Sequence, residues 1–247
     1  MLKFFLFTLF IVVAGHALLG TVHSQSPFKN QLRPKADLYW ESDTSVTGSP
    51  ASAWASIAGS ITLSQATSGN RPAVISSAFG TTQGLTFDGT NDALSYSGQA
   101  ITRTGAASLS VVFKTGSSVT GPFVLISQAD SSVANTWWEF GIAADGKLYI
   151  EYNNAGTKQT VEGSTVLSTS TAYNAILTYD GTDFYLLLNN VEENPLVITN
   201  TGTFAWLGAV SGTPLFGVGA TMPSEGATRF FNGVIGGVYF WNRDLTR

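Results

Sequence analysis

Trp137-Trp138-Glu139-Phe140-Gly141-Ile142-Ala143-Ala144-Asp145-Gly146-Lys147-Leu148-Tyr149-Ile150-Glu151-Tyr152 sets two runs of aromatic and aliphatic residues on either side of an Asp-Gly pair. Type I′ hairpin turns select such a pair because both central residues need positive φ. The stretch predicts a β-hairpin with Asp145-Gly146 as a two-residue turn. In that register Ala144 faces Lys147 and Glu151 faces Phe140. Side chains alternate between the two faces of a strand, so Glu139 and Glu151 are expected on opposite sides of the sheet.

The pattern repeats outward from this hairpin. Residues 176–188 carry a second Asp-Gly, Asp180-Gly181, read as another two-residue hairpin turn, and Asn189-Asn190 ends the strand that follows. Residues 109–114, 123–128 and 230–241 read as further strands. No window sustains helical periodicity over three turns. Without crossover helices the strands must pair antiparallel. The chain has 247 residues, 44% of them hydrophobic; that much apolar surface on many short strands needs two sheets face to face. The expected fold is all-β, a two-sheet antiparallel β-sandwich with little helix, formed by one domain over residues 36–247.

Ahead of it, residues 1–24 read as a signal peptide. Lys3 is the basic residue, Phe4-Phe5-Leu6-Phe7-Thr8-Leu9-Phe10-Ile11-Val12-Val13-Ala14 the apolar run, and Val22-x-Ser24 the cleavage pattern before Gln25. An uncleaved leader acting as a membrane anchor is the alternative. Residues 25–35 are polar, with two prolines and three basic residues, and read as a linker. Both histidines, His16 and His23, lie in the leader and the chain has no cysteine. The mature chain is thus expected to lack the groups for a Ser-His-Asp triad, a thiol nucleophile or a His- or Cys-ligated zinc. With 12 Lys+Arg against 16 Asp+Glu, nothing basic is in excess to neutralise phosphates, so no nucleic-acid partner is expected.

Particular strings resemble a known family. Leu85-Thr86-Phe87-Asp88-Gly89-Thr90-Asn91-Asp92-Ala93-Leu94 is similar to a segment of the laminin-G-like, concanavalin A-type lectin/glucanase jelly rolls. Upstream, Tyr39-Trp40-Glu41-Ser42-Asp43, Trp54 and Asn70-Arg71-Pro72 resemble the opening region of bacterial and phage members. Downstream, Ser108-Leu109-Ser110-Val111-Val112-Phe113-Lys114, the two Asp-Gly hairpins, and Phe231-Asn232-Gly233-Val234-Ile235-Gly236-Gly237-Val238-Tyr239-Phe240-Trp241-Asn242-Arg243 follow in the family's order. The resemblance implies a jelly roll, and its hosts range over lectins, adhesins, enzymes and structural modules.

Polysaccharide hydrolases of this fold aim alternate carboxylates of one strand into a groove. Here Glu41-Ser42-Asp43 lacks the third acid, Ser45 standing in its place, and reads as an exposed acidic pair in a loop. Glu139 and Glu151, expected on opposite faces, make no dyad. No catalytic residue is assigned, and a hydrolase or lyase stays an alternative.

Sugar recognition needs flat apolar surfaces beside planar amides and carboxylates. Trp137, Trp138, Tyr152, Asn153 and Asn154 fall at one end of the first hairpin and are the candidate ligand-binding residues; the two adjacent tryptophans point to opposite faces, so at most one fills the core. Asp88, Asn91 and Asp92 offer hard oxygens for a calcium ion, or form a turn bonded to its own backbone; no other cofactor is expected. Trp40, Trp54, Trp206 and Trp241 are assigned to packing. Gly217 to Gly226 lacks the Lys-Ser/Thr of a phosphate loop. The expected activity is non-catalytic binding of a glycan or surface protein by a secreted or cell-surface module. A structural subunit of a virion, appendage or surface layer is the alternative, and an oligomer is compatible with either.

Overall fold

A computed structural model describes residues 36–200, 207, 210, 212–222 and 228–245. The expected signal peptide, the linker and Trp206 lie outside them. The described chain is two antiparallel sheets, with a short 3₁₀ turn at Ser68–Asn70. Sheet A runs β15 (Val191–Glu192), β14 (Phe184–Leu188), β13 (Ala172–Tyr179), β8 (Ala107–Thr115), β18 (Asn232–Trp241), β6 (Thr82–Asp88) and β5 (Ala73–Phe79), with β1 (Leu38–Glu41) beside β18. Sheet B runs β16 (Val197–Asn200), β12 (Thr157–Val166), β11 (Lys147–Asn154), β10 (Thr136–Ile142), β9 (Phe123–Asp130), β17 (Pro214–Val218), β7 (Leu94–Ser97), β4 (Thr62–Ser64), β3 (Ala53–Ala55) and β2 (Val46–Thr47).

Alternation sorts each strand into an inner and an outer row. In β8, Leu109, Val111 and Phe113 enter the main core between the sheets, while Val112 packs outside with Tyr239 and Trp241. The centre of the main core is aromatic. Phe216 of sheet B stacks on Trp40 at 5.6 Å and meets Phe240 edge-on at 6.0 Å, both from sheet A. Trp40 and Trp54 are fully buried, as assigned; Trp241 is buried on the outer side of sheet A, stacked on Tyr239.

Three expectations need correcting. The first hairpin closes through three residues, not two: Ala143 N–H donates to Lys147 C=O and Gly146 N–H to Ala143 C=O, with Gly146 at φ +86°. This is a type I turn followed by a left-handed glycine, which the same Asp-Gly pair also satisfies. It moves the register by one, so Glu139 faces Glu151 directly and Phe140 faces Ile150. The second hairpin pairs Tyr179 with Phe184, leaving a four-residue loop in which Asp180 Oδ1 accepts from the Thr182 and Asp183 N–H groups. Glu41 is no loop residue. It ends β1, is fully buried, and accepts a 2.9 Å hydrogen bond from Tyr239 Oη–H.

Glu193, just after β15 of sheet A, is tied to β12 of sheet B. Its Oε2 accepts from Ser164 N–H, Ser164 Oγ–H and Thr165 N–H at 2.7–3.1 Å. Burial pushes its carboxyl pKa up, but the bonds from Thr165 and Ser164 outweigh it, and the net shift is downward. A folded pKa below the unfolded one means that ionised Glu193 stabilises the fold above the unfolded carboxyl pKa, and that this contribution disappears as pH falls through the folded one. Glu193→Gln is expected to cost about 1–3 kcal/mol at neutral pH. Urea titrations from pH 7 downward check it: the gap between variant and parent must close in acid, and a pH-independent gap would contradict the assignment.

Candidate functional site

The outer face of sheet B carries polar and aromatic side chains in rows across β10, β11 and β12. Trp137 faces Asn153, which faces Lys158; Glu139 faces Glu151, which faces Thr160; Gly141 faces Tyr149, which faces Glu162. Over this face folds a flap on either side of residues 223–227. Ser127 Oγ–H donates to Ala220 C=O at 2.8 Å, Thr221 and Thr228 pair through their backbones, and Val124 N–H donates to Arg229 C=O. Met222 lies where a side chain at position 217 would stand, so only glycine there lets the flap lie flat.

Glu139 anchors the arrangement. It is fully buried, and its carboxylate accepts from Thr221 Oγ1–H at 2.7 Å, from Tyr149 Oη–H at 2.5 Å and from the Arg229 guanidinium. Burial raises its pKa; the Arg229 charge and the Thr221 and Tyr149 bonds oppose this, Glu151 adds to it, and the net shift is upward. Tyr149 is pushed well above the usual phenol range by burial and then by the Glu139 charge, so it remains a donor. Burial alone would lower the Arg229 pKa, but Glu139 and Tyr149 hold the guanidinium charged. Arg229 keeps a third of its side chain exposed.

Two cations stand over the Trp137 ring, Lys158 Nζ at 5.3 Å and the Arg229 guanidinium at 5.7 Å from its centroid. Lys158 also pairs with Glu151 at 2.8 Å, and Thr160 donates to the other Glu151 oxygen at 3.2 Å. Of the sequence-derived candidates, Trp137 and Asn153 stand on this face. Asn153 is buried and its Oδ1 accepts from Gly156 N–H, holding the β11–β12 turn. Asn154 is exposed at the strand end. Trp138 and Tyr152 occupy the inner row and are buried in the core, Trp138 Nε1–H donating to Leu207 C=O at 2.8 Å. Their place follows from alternation: with Trp137 outside, its neighbour and that neighbour's cross-strand partner must point inward. Arg229, Lys158, Glu151 and Tyr149 were not singled out as ligand contacts. Arg229 in particular reaches the site from 90 positions away, with no local pattern to announce it.

Around the loop after β6, Asp88 Oδ1 accepts from Thr90 and Asn91 N–H, and Asp92 Oδ2 accepts from Asp88 N–H. Asn91 Oδ1 is buried without a hydrogen-bond partner. Among the described residues no group of three or more His, Cys, Asp or Glu is placed to hold a metal ion.

Two antiparallel sheets with a flap-covered, charged aromatic face define a jelly-roll module. The chain belongs to the concanavalin A-like lectin/glucanases superfamily, whose family model matches residues 88–247. Its fold is shared by domain 4 of AbnA, an extracellular arabinanase of Geobacillus stearothermophilus solved with arabinotriose: TM-score 0.60, 14% identity, covering 86% of this chain and 94% of that one. It is shared too by the CBM40 module of the Ruminococcus gnavus IT-sialidase solved with α2,3-sialyllactose: TM-score 0.53, 15% identity, 66% and 91% covered. NanB sialidase of Streptococcus pneumoniae is similar over 66% of this chain and 26% of its own, at TM-score 0.53 and 13% identity. No curated protein matches the chain.

Proposed function

We propose that the protein is a secreted or cell-surface, non-catalytic carbohydrate-binding module, and that its glycan lies on the outer face of sheet B beside Trp137. The observation that carries this is the convergence around one indole of Glu151, Asn153 and Lys158 from the adjacent strands β11 and β12 and of Arg229 from the flap. Charged and amide groups held in fixed directions match sugar hydroxyls, and they surround an indole that is itself 8% exposed. Two modules of the same fold were solved with oligosaccharides. Glu139 and Glu151 now share a face, yet both are committed to cations and hydroxyl donors, which favours binding over acid–base chemistry. A glycan array with the secreted protein names the ligand. Trp137→Leu is then expected to weaken it at least about tenfold with the fold retained by circular dichroism; undiminished binding would place the site elsewhere.

The loop of Asp88, Asn91 and Asp92 works as a hydrogen-bonded turn in this reading. Calcium takes 6–8 oxygens, and here each aspartate already has one committed to a backbone N–H. Calcium is expected to leave the melting temperature unchanged; a saturable rise would assign a metal to the loop.

Assembly is a second reading with an observation of its own. Val191 of β15 and Val197 and Ile198 of β16 are half or more exposed, and those two strands are the edges of sheets A and B. Apolar edge strands invite pairing with another chain. Light scattering of the parent and of Val191→Lys/Ile198→Lys tests it: a parent oligomer that the variant dissociates supports assembly through this edge.

A further inference from the structure

The outer face of sheet A holds a cavity of about 420 Å³ between β5, β6, β8 and β18, within the range of small-molecule sites. One cross-strand row runs through it: Lys114 faces Val234, which faces Thr86. Strands lie about 4.8 Å apart, so the ammonium stem and the threonine hydroxyl rise from positions roughly 10 Å apart, with an aliphatic side chain between them. Ile75, 40% exposed, extends this apolar floor.

Two polar groups in the row are unspent. Thr86 Oγ1 is buried and has no hydrogen-bond partner. Among the described residues the Lys114 side chain has no hydrogen bond or ion pair, whereas Arg71, Arg103, Lys147, Lys158 and Arg229 each have one and Arg243 has an interaction of its own. Asp88 also lines the cavity, but its Oδ1 is turned onto its own loop. Asn232 at the rim donates from Nδ2 to Asp88 C=O.

We propose that this cavity is a second binding site, independent of the sheet B face, for a hydroxylated carboxylate the size of one uronic acid. The carboxylate pairs with Lys114, the ring C–H surface lies on Val234 and Ile75, and a ring hydroxyl meets Thr86. The half-buried Lys114 and the buried, unpaired Thr86 hydroxyl, one strand apart on either side of Val234, are both poorly served by water, and a ligand that spans the row satisfies both at once. The same chemistry is offered by a free uronate and by a uronate residue within a chain.

The test is a ¹⁵N–¹H titration of the full mature protein with D-glucuronate, with glucose as control and a tetragalacturonate as the polymeric arm. Glucuronate is expected to shift amides of Thr86, Thr115, Gly233 and Val234 saturably. Lys114→Met and the isosteric Thr86→Val should each weaken this at least about tenfold, and Trp137→Leu should leave it intact. Tighter binding of the tetramer assigns the site to a chain, and tighter binding of glucuronate to a free acid. The proposal fails if glucose shifts the same amides equally, if Lys114→Met titrates like the parent, or if no amide of this cavity moves at about 50 mM ligand. Loss of glycan binding at Trp137 with these shifts retained, or the reverse, separates the two sites.

Discussion

A chain ending at Phe231 does not fold. β18, the last strand, is interior to sheet A: β8 pairs with it from Ser108 to Thr115, and β6 and β1 share its other side, β6 along Asn232 to Ile235 and β1 along Gly237 to Phe240. Its loss strips three neighbours of their ladder partners. It also removes Ile235, Val238 and Phe240 from the main core and Tyr239 and Trp241 from the outer cluster, all buried. At about 1.5–3 kcal/mol per buried side chain, those five are of the same order as the stability of a whole domain, about 5–15 kcal/mol. The expected product gives a disordered far-UV circular dichroism spectrum and no cooperative melt. A chain ending at Asp244 is the matched control. It loses the Leu245 N–H bond to Thr178 Oγ1 and a partly buried leucine, and should melt within a few degrees of the parent. A cooperative melt from the chain ending at Phe231 would mean that β18 is an accessory to the sandwich rather than its spine.

That β18 is a strand was legible from its β-branched and aromatic residues, and the two-sheet architecture from the apolar fraction spread over many short strands. Its central position was not, because strand order depends on pairings between segments far apart in the chain, and no local pattern encodes them. The register of the first hairpin failed for a narrower reason. Asp145-Gly146 is compatible with a two-residue turn and with the last two positions of a three-residue loop, and Ala143-Ala144 favours neither. One residue of slip reverses which face Glu139 shares with Glu151, so the carboxylates excluded as partners turn out to be cross-strand neighbours. The site shows the same limit. Trp137 and Asn153 could be named because the hairpin brings them together; Arg229 could not, since it follows a Gly-rich stretch, Gly217 to Gly226, with no pattern of its own. Its buried partner is what fixes it there, and a buried carboxylate is invisible until the cation that permits its burial is in place.

Phe216→Ala is expected to lose about 3–5 kcal/mol, the range for a large aromatic removed from a closed core. Phe216 is fully buried at the point where the sheets meet, with Trp40 stacked at 5.6 Å and 15°, Phe240 edge-on at 6.0 Å and Trp138 tilted at 6.5 Å. Trp40 and Phe240 stand on strands paired to each other, and Trp138 is tethered through its indole N–H to Leu207. None of the three is free to swing into the void, so relaxation recovers little and the cavity term stays near its maximum. At roughly 2–4 °C per kcal/mol for a chain of this size, calorimetry should find the melting temperature lowered by about 6–20 °C. Phe216→Leu keeps most of the volume and should cost only about 1–1.5 kcal/mol. The part that depends on ring geometry can be separated from volume: in a double-mutant cycle with Trp40→Leu, the stacked pair should show a coupling of about 0.5–1.5 kcal/mol. A loss under about 1 kcal/mol for Phe216→Ala would require that the sheets close over the missing ring, which four mutually wedged aromatics on two hydrogen-bonded sheets do not allow.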